Sequence, residues 1–190
     1  MSDLRICLIS PSRWRYTKRL VEGLCDLNCI VHLFVDKRSN DIQNIKSLKC
    51  PVKETWKQNA FLPWYLIKLP LETIKVKPHI LHIQFEYLIF GRLFVSIFFP
   101  LLLLSLRWIS MAMNFKIVLT MHSVLPLDKV KPLERNLLLP YTKTMFKLSD
   151  KVIVHMKLAK EILVKTYEVD EKKLDVIPHG VETKFPSVHT

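Results

Sequence analysis

The amino-acid sequence predicts a doubly wound α/β domain, in which one parallel sheet is covered by helices on both faces. Short apolar runs alternate along the chain with longer segments that have helical spacing. The apolar runs are continuous rather than alternating with polar residues, which is typical of strands buried on both faces. Strand and helix repeated in this order indicate a parallel sheet rather than an antiparallel one.

The first half of the chain supplies four predicted strands and two predicted helices. The strands are short apolar runs at residues 4–10, 29–35, 51–55 and 79–85. A helix is predicted over 11–27, where Leu20, Val21 and Leu24 have helical spacing. A second helix is predicted over 61–76, and we expect Pro63 and Pro70 to interrupt it.

The second half continues the same pattern. Three more strands are predicted at residues 116–121, 151–155 and 174–177, and helices at 131–148 and 157–168 separate them. In sheets of this type ligands bind beyond the carboxyl ends of the strands. We therefore expect the functional residues directly after each apolar run.

Composition limits the classes of protein to consider. The chain has 190 residues, 49% of them hydrophobic and 24% charged, which suits one domain and excludes a disordered chain. The net charge of +12 favours anionic partners. The four cysteines form no zinc motif. The chain opens on an apolar segment too short for a signal peptide, so we expect a cytoplasmic protein with reduced thiols.

An uncharged run of 14 residues begins at Leu93 and ends at Leu106. Three interpretations stay open: a half-buried helix of the α/β layer, a helix that dips into a membrane surface, and a membrane span. The run is shorter than the ~20 apolar residues that a span needs. We also expect Pro100 to kink it. A helix of the α/β layer is favoured, with peripheral contact to the inner membrane face as the main alternative.

Five segments, in this order, resemble the N-terminal domain of glycosyltransferase family 4. They are RICLISP at residues 5–11, KPHILHIQFEY at 77–87 with a following FG, KIVLTMHSV at 116–124, LSDKVIVH at 148–155 and VIPHGVE at 176–182. The resemblance implies a Rossmann-like sheet that forms the N-terminal half of a GT-B fold. It also implies a retaining transfer of a sugar from a nucleotide-sugar donor to a lipid-linked or saccharide acceptor.

By the same resemblance, residues 1–178 are the acceptor-binding domain and residues 179–190 begin the interdomain linker. The C-terminal domain that binds the donor in this family is absent from this chain, so we expect this chain to be inactive alone. The resemblance implies no cofactor and no metal. Nucleic acid is not an expected partner, since no RNP pattern, zinc finger or helix-turn-helix accompanies the positive charge.

The resemblance places the site at the ends of two strands. His122 is the expected catalytic residue, where it could orient an acceptor hydroxyl or share a proton. Gln84, Glu86 and Ser123 are expected to bind the acceptor, although Glu86 could instead favour a helix N-terminus. His82 lies inside a strand and is interpreted as a packing residue.

The first strand-to-helix loop departs from the family, which usually has glycines there. Four residues of this glycine-free loop could hold an anion at a helix N-terminus, with a lipid-linked phosphate as the preferred ligand: Ser12, Arg13, Arg15 and Lys18. A solvated basic turn is the alternative. His155, His179 and Gly180 are expected at the interdomain cleft, with Gly180 supplying a special turn.

Two functions from different classes therefore compete. The first is the acceptor-binding half of a glycosyltransferase. The second is a non-catalytic, membrane-associated subunit that recruits a separate catalytic half.

Overall fold

The computed structural model describes residues 3–10, 14–37, 48, 50–57, 63–87, 90, 96–127 and 130–180. Over these residues the chain forms one seven-stranded, all-parallel sheet with helices between the strands. The predicted Rossmann-like α/β fold is confirmed. The strands are β1 Arg5–Ser10, β2 Ile30–Asp36, β3 Val52–Trp56, β4 Ile80–Phe85, β5 Lys116–Met121, β6 Lys151–Val154 and β7 Leu174–Val176.

The strand order in the sheet is β3-β2-β1-β4-β5-β6-β7. From β1 the chain moves outward to β2 and β3, and then returns to the other side of β1 to build β4 through β7. The direction of winding therefore reverses between β1 and β4. In open α/β sheets ligands bind outside the carboxyl ends of the strands at such a switch point.

Five α-helices connect the described strands, and a short 3-10 helix, Glu171–Lys173, precedes β7. Both faces of the sheet are covered, as the side chains of β1 illustrate. Cys7 and Ile9 point into the larger core, whereas Leu8 packs in a smaller core with Val21. The helices are α1 Trp14–Asp26, α2 Tyr65–Val76, α3 Phe99–Met113, α4 Pro132–Leu148 and α5 Lys157–Tyr167.

Two expectations about proline were wrong. Pro70 lies inside α2 without ending it. Its ring is buried beside the fully buried Leu69, and this packing offsets the backbone hydrogen bond that a proline cannot donate. Pro100 lies in the first turn of α3, where the backbone N–H has no helical partner anyway, so it begins the helix instead of kinking it.

Helix α3 is half buried. Phe99, Leu102, Leu103 and Leu106 are fully buried against the sheet. This supports the interpretation of residues 93–106 as a helix of the α/β layer from residue 99 onward, while residues 93–95 lie outside the described residues. In the described part of the chain, no helix combines the length and apolarity needed to cross a bilayer.

One ion pair fixes α3 against the sheet. Arg107 of α3 donates from one guanidinium nitrogen to both carboxylate oxygens of Asp150, each at 3.0 Å. The same carboxylate accepts the backbone N–H of Ile117 at 2.8 Å. The side chain of Asp150 is 18% exposed and that of Arg107 is 36% exposed, so these charge-assisted hydrogen bonds are partly shielded from water. Asp150 thus joins the start of β6, the start of β5 and α3.

Candidate functional site

Three histidines meet at the carboxyl edge of the sheet. His122 directly follows β5, His155 directly follows β6, and His179 comes three residues after β7. Because β5, β6 and β7 are parallel neighbours, their carboxyl ends share one edge. The ring centroids of His155 and His179 are 3.6 Å apart, and those of His122 lie 5.2 Å and 5.9 Å from them. These three sequence-predicted residues are therefore brought together.

Tyr16 of α1 forms a wall of this cluster. Its ring meets the rings of His122, His155 and His179 edge to face, with centroid distances of 5.0, 5.8 and 5.3 Å. Burial raises the pKa of Tyr16, so the phenol stays neutral. No motif in the sequence marks Tyr16. Its place within an apolar-periodic helix gave no signal that it faces a cluster of imidazoles.

A series of hydrogen-bonded side chains, which we call the buried polar chain, fixes the ring of His122. His122 Nε2 donates to Gln84 Oε1 at 2.7 Å, and Gln84 Nε2 donates to His82 Nε2 at 2.9 Å. Thr120 Oγ1 lies 2.7 Å from the same His82 nitrogen. Burial lowers the pKa of His82 to about 4, so His82 accepts as a neutral imidazole. The interpretation of His82 as a simple packing residue missed this role, because strand periodicity reports burial and not side-chain partners.

His155 is oriented by the backbone. Its Nδ1 lies 2.8 Å from the carbonyl oxygen of Ile177, and since a carbonyl only accepts, Nδ1 carries the proton. Nε2 therefore holds a lone pair. That atom is buried, and no described residue forms a hydrogen bond with it. A buried acceptor without a partner costs about 1–3 kcal/mol, which makes His155 Nε2 a candidate ligand atom.

The remaining predicted residues of this edge lie around the cluster. Gln84 is fully buried, Glu86 follows β4 and is half buried, and Ser123 is exposed next to His122. Gly180 does not have the positive φ expected of a special turn, and an added Cβ would meet nothing within 4 Å. The prediction that position 180 needs glycine for its backbone conformation is therefore wrong.

The predicted anion-binding loop stays a prediction. Ser12 and Arg13 lie outside the described residues, and only the backbone of Arg15 is described. Lys18 is described, and its Nζ lies 3.8 Å from Glu22 Oε1 on the next turn of α1. Both side chains of this pair are well exposed, so it contributes little to stability and leaves Lys18 near the loop.

A cavity of about 450 Å³, missed by the sequence analysis, lies between β3 and α2. Lys37, Lys57 and Lys68 line it, together with the aromatic rings of Trp64 and Phe90 and other residues. Thr55 Oγ1 and Trp56 Nε1, both on its wall, are buried and form no hydrogen bond with any described residue. Two unsatisfied polar atoms among three cations make this cavity suited to an anionic or hydroxyl-rich group. The lysines are scattered in the sequence, so no motif marks them.

Most of the chain matches one known protein family. The family model described as Glycosyltransferase Family 4 matches residues 14–185. The chain belongs to this family. No curated protein matches the sequence significantly.

Solved structures with the same fold are distant in sequence. Anabaena HepE in complex with UDP-glucose superposes with a TM-score of 0.62 at 9% identity, over 94% of this chain and 44% of that one. HepE in complex with UDP gives 0.60 at 9% identity, over 94% and 44%. A Listeria monocytogenes protein described as a UDP-N-acetylglucosamine 2-epimerase gives 0.56 at 10% identity, over 91% and 44%. This family member therefore spans less than half the length of each of these structures.

Proposed function

We propose that this family member is the acceptor-binding domain of a retaining glycosyltransferase, which moves a sugar from a nucleotide-sugar to a lipid-linked or polysaccharide acceptor. The observation that carries the proposal is the placement of His122. In a chain of Glycosyltransferase Family 4, this imidazole stands at the carboxyl edge of the sheet and is held by a fully buried glutamine. Such a held imidazole is suited to orient an acceptor hydroxyl or to share its proton.

The donor is a nucleotide-sugar bound mainly by a second domain, supplied by a further segment or by a partner subunit. Two facts support this division. HepE, which has the same fold over this region, was crystallised with UDP-glucose, and the present chain covers 44% of it. A leaving pyrophosphate needs fixed positive charge and helix N-termini. In this proposal, transfer therefore needs both domains.

In this proposal the acceptor binds to the domain that the present chain forms. Its reacting hydroxyl is placed beside His122, with Glu86 and Ser123 as flanking polar groups and Gln84 holding the imidazole. An anionic part of the acceptor, such as a phosphate, is bound by Ser12, Arg13, Arg15 and Lys18 or by the cavity between β3 and α2. Three lysines and two unsatisfied buried polar atoms in its lining support the cavity as the site of this anionic group.

The outward sides of α2 and α3 form the membrane contact in this proposal. The two helices pack side by side, and each exposes several large apolar side chains, three of which (Trp64, Ile67 and Leu71) also border the cavity between β3 and α2. These side chains, all at least 39% exposed, are Trp64, Ile67, Leu71, Ile74, Ile97, Phe98, Leu101, Leu104, Trp108 and Met111. We call them the α2–α3 surface. Exposed apolar area of this extent marks an interaction site, and the net charge of +12 favours the anionic cytoplasmic leaflet.

Kinetics of the protein as isolated from its source cell, with bound partners retained, test the catalytic part. Transfer of labelled sugar to a lipid extract is measured for wild type and for His122→Ala. The proposal predicts a 10²–10⁴-fold loss of kcat, the range for a general acid–base group. His32→Ala is the matched control, since His32 lies near the amino end of β2, away from the site. Unchanged kcat in His122→Ala would remove His122 from the reaction. The anomeric configuration of the product, read by NMR, tests the retaining assignment.

Vesicle partition tests the membrane part. Leu101 and Trp108 are replaced together by glutamine, which changes no charge. Burying one large apolar side chain contributes about 1.5–3 kcal/mol, so partition onto anionic vesicles should weaken at least tenfold. Leu137→Gln on α4 is the control, because Leu137 is as exposed but lies outside the α2–α3 surface. Equal binding of all three proteins would contradict this contact.

A non-catalytic role is the second candidate, and the α2–α3 surface favours it as well, since a partner subunit could cover the same apolar area. Cross-linking in the source cell separates the two. If the α2–α3 surface cross-links to a protein with a nucleotide-sugar site and His122→Ala leaves transfer intact, the recruiting role replaces the catalytic one.

A further inference from the structure

We propose that His122, His155 and His179 form a binding site for a transition-metal ion of the Zn²⁺ class, which neither the family nor the sequence motifs assign. Each histidine offers one ring nitrogen, and the three nitrogens lie within 4.8 Å of one another. Imidazole nitrogen is a preferred ligand of Zn²⁺, Co²⁺, Ni²⁺ and Cu²⁺.

The first argument is the tautomer of His155. The hydrogen bond from Nδ1–H to the Ile177 carbonyl fixes the lone pair on Nε2. In metal-binding histidines, the ring nitrogen that does not bind the metal commonly donates such a hydrogen bond to a backbone carbonyl, which orients the ring. The buried Nε2 forms no hydrogen bond within the described residues, and a bound cation would satisfy it.

The second argument is the tautomer of His122. Its Nε2 donates to the amide oxygen of Gln84, which leaves the lone pair on Nδ1. Gln84 is itself fixed by its hydrogen bond to the neutral His82. His122 is therefore oriented through the nitrogen that would not bind the ion, as His155 is, but by a side chain instead of the backbone.

The third argument is geometric. A tetrahedral ion with Zn–N bonds of 2.0–2.1 Å separates its ligand nitrogens by about 3.4 Å. The largest nitrogen separation here therefore has to shrink by at most about 1.4 Å. The rings of His155 and His179 are stacked, so the His179 ring has to turn before both lone pairs face one ion. His179 is exposed and lies on the segment that follows β7, where its side chain can rotate. An ion held by His122 and His155, at the ends of β5 and β6, would then bind His179 and fix the segment that carries it.

Three protein ligands leave a fourth position open, as in metal sites that bind water or a substrate oxygen. The edge-on ring of Tyr16 borders all three imidazoles on the side of α1. An ion on His122 Nδ1 would occupy the nitrogen that faces the acceptor in the proposed function, because Nε2 is held by Gln84, so metal-bound His122 does not share a proton. Metal binding is measured without any transferase activity, so failure of this proposal and failure of the proposed function are distinguishable. A metal site here would fix the exit of the chain from β7 whether or not a sugar is transferred.

The experiment is a calorimetric titration of the metal-free full chain with Zn²⁺, followed by Co²⁺ absorption spectroscopy. The expected result is one ion per chain with a Kd in the micromolar range or below, and a tetrahedral Co²⁺ spectrum. His179→Ala and His155→Ala should each weaken binding at least tenfold. His32→Ala is the matched control and should bind as wild type does.

His179→Ala is the decisive variant. Because His179 is exposed, its replacement should leave the fold intact, and far-UV circular dichroism and the Tm without metal check that it does. Absence of a stoichiometric site in wild type would overturn the proposal. So would equal Zn²⁺ affinity in wild type and His179→Ala. Loss of binding in His32→Ala would also overturn it, because the ion would then bind elsewhere.

Discussion

Replacement of Gln84 by methionine tests whether the buried polar chain holds the site together. Methionine has nearly the length of glutamine but neither donates to His82 nor accepts from His122. Two hydrogen bonds, of 2.7 Å and 2.9 Å, are lost at a side chain that is fully buried. No charge changes, and the helix and strand backbones keep their own hydrogen bonds.

The expected loss follows from the two contacts. A buried hydrogen bond contributes about 1 kcal/mol net. His82 keeps its contact with Thr120, and His122 is only half buried, so water can reach its released N–H. We therefore expect Gln84→Met to lower the free energy of unfolding by about 2 kcal/mol. For a domain of this size that corresponds to a fall in Tm of roughly 4–8 °C.

Urea unfolding followed by circular dichroism measures this loss. Adding His122→Ala to Gln84→Met completes a double-mutant cycle, for which we expect a coupling of about 1 kcal/mol between the two side chains. Ser105→Ala is the control, because its hydroxyl donates only to the carbonyl of Leu102 on its own helix. A loss below about 0.5 kcal/mol for Gln84→Met, within the range of ordinary surface substitutions, together with zero coupling, would refute the buried chain as a structural unit.

Three further predictions concern stability. Asp150→Asn should lower the free energy of unfolding by about 1.5 kcal/mol, because the half-exposed Arg107 then lacks its charged partner; thermal melts test this, and a Tm equal to wild type would contradict it. Lowering the pH should destabilise the fold: His82 stays neutral down to about 4 while its usual pKa is about 6.5, so its contribution is complete above pH 6.5 and is lost as the pH falls toward 4. Between pH 7 and 5 this amounts to about 2 kcal/mol in urea unfolding, and a His82→Leu variant with the same pH dependence would disprove it. Leu103→Ala should cost about 2–5 kcal/mol by opening a cavity under α3, against under 1 kcal/mol for the exposed Leu104→Ala; equal losses would mean that the buried face of α3 is misassigned.

The fold was predictable because its strands are buried on both faces. Continuous apolar runs such as KIVLTM at β5 and KVIV at β6 leave no polar face, and only a parallel sheet with helices on both sides accommodates them. The predicted strand boundaries differ from the observed ones by no more than one residue at either end. Proline effects were harder to predict, because the cost of Pro70 depends on tertiary packing that the local sequence does not contain.

The site was predictable only in part. Motif resemblance and strand ends located His122, His155 and His179, and the family membership implied by the motifs is confirmed. Their convergence could not be read from the sequence, since the three lie 33 and 24 residues apart and meet only through the order of β5, β6 and β7. The roles of His82 and Tyr16 depend on side-chain contacts across strands and helices, and the lysines of the β3–α2 cavity come from separate elements.

Sugar transfer in membranes of the source cell tests the central claim most directly. Membranes from cells that lack this gene are supplied with labelled UDP-sugars, and incorporation into lipid or polysaccharide is compared after return of wild type or of His122→Ala. The account predicts that one labelled product disappears with the gene, returns with wild type and stays absent with His122→Ala. A product pattern that is the same in all four membranes, including the unmodified cells, would contradict a role for this chain in glycosyl transfer.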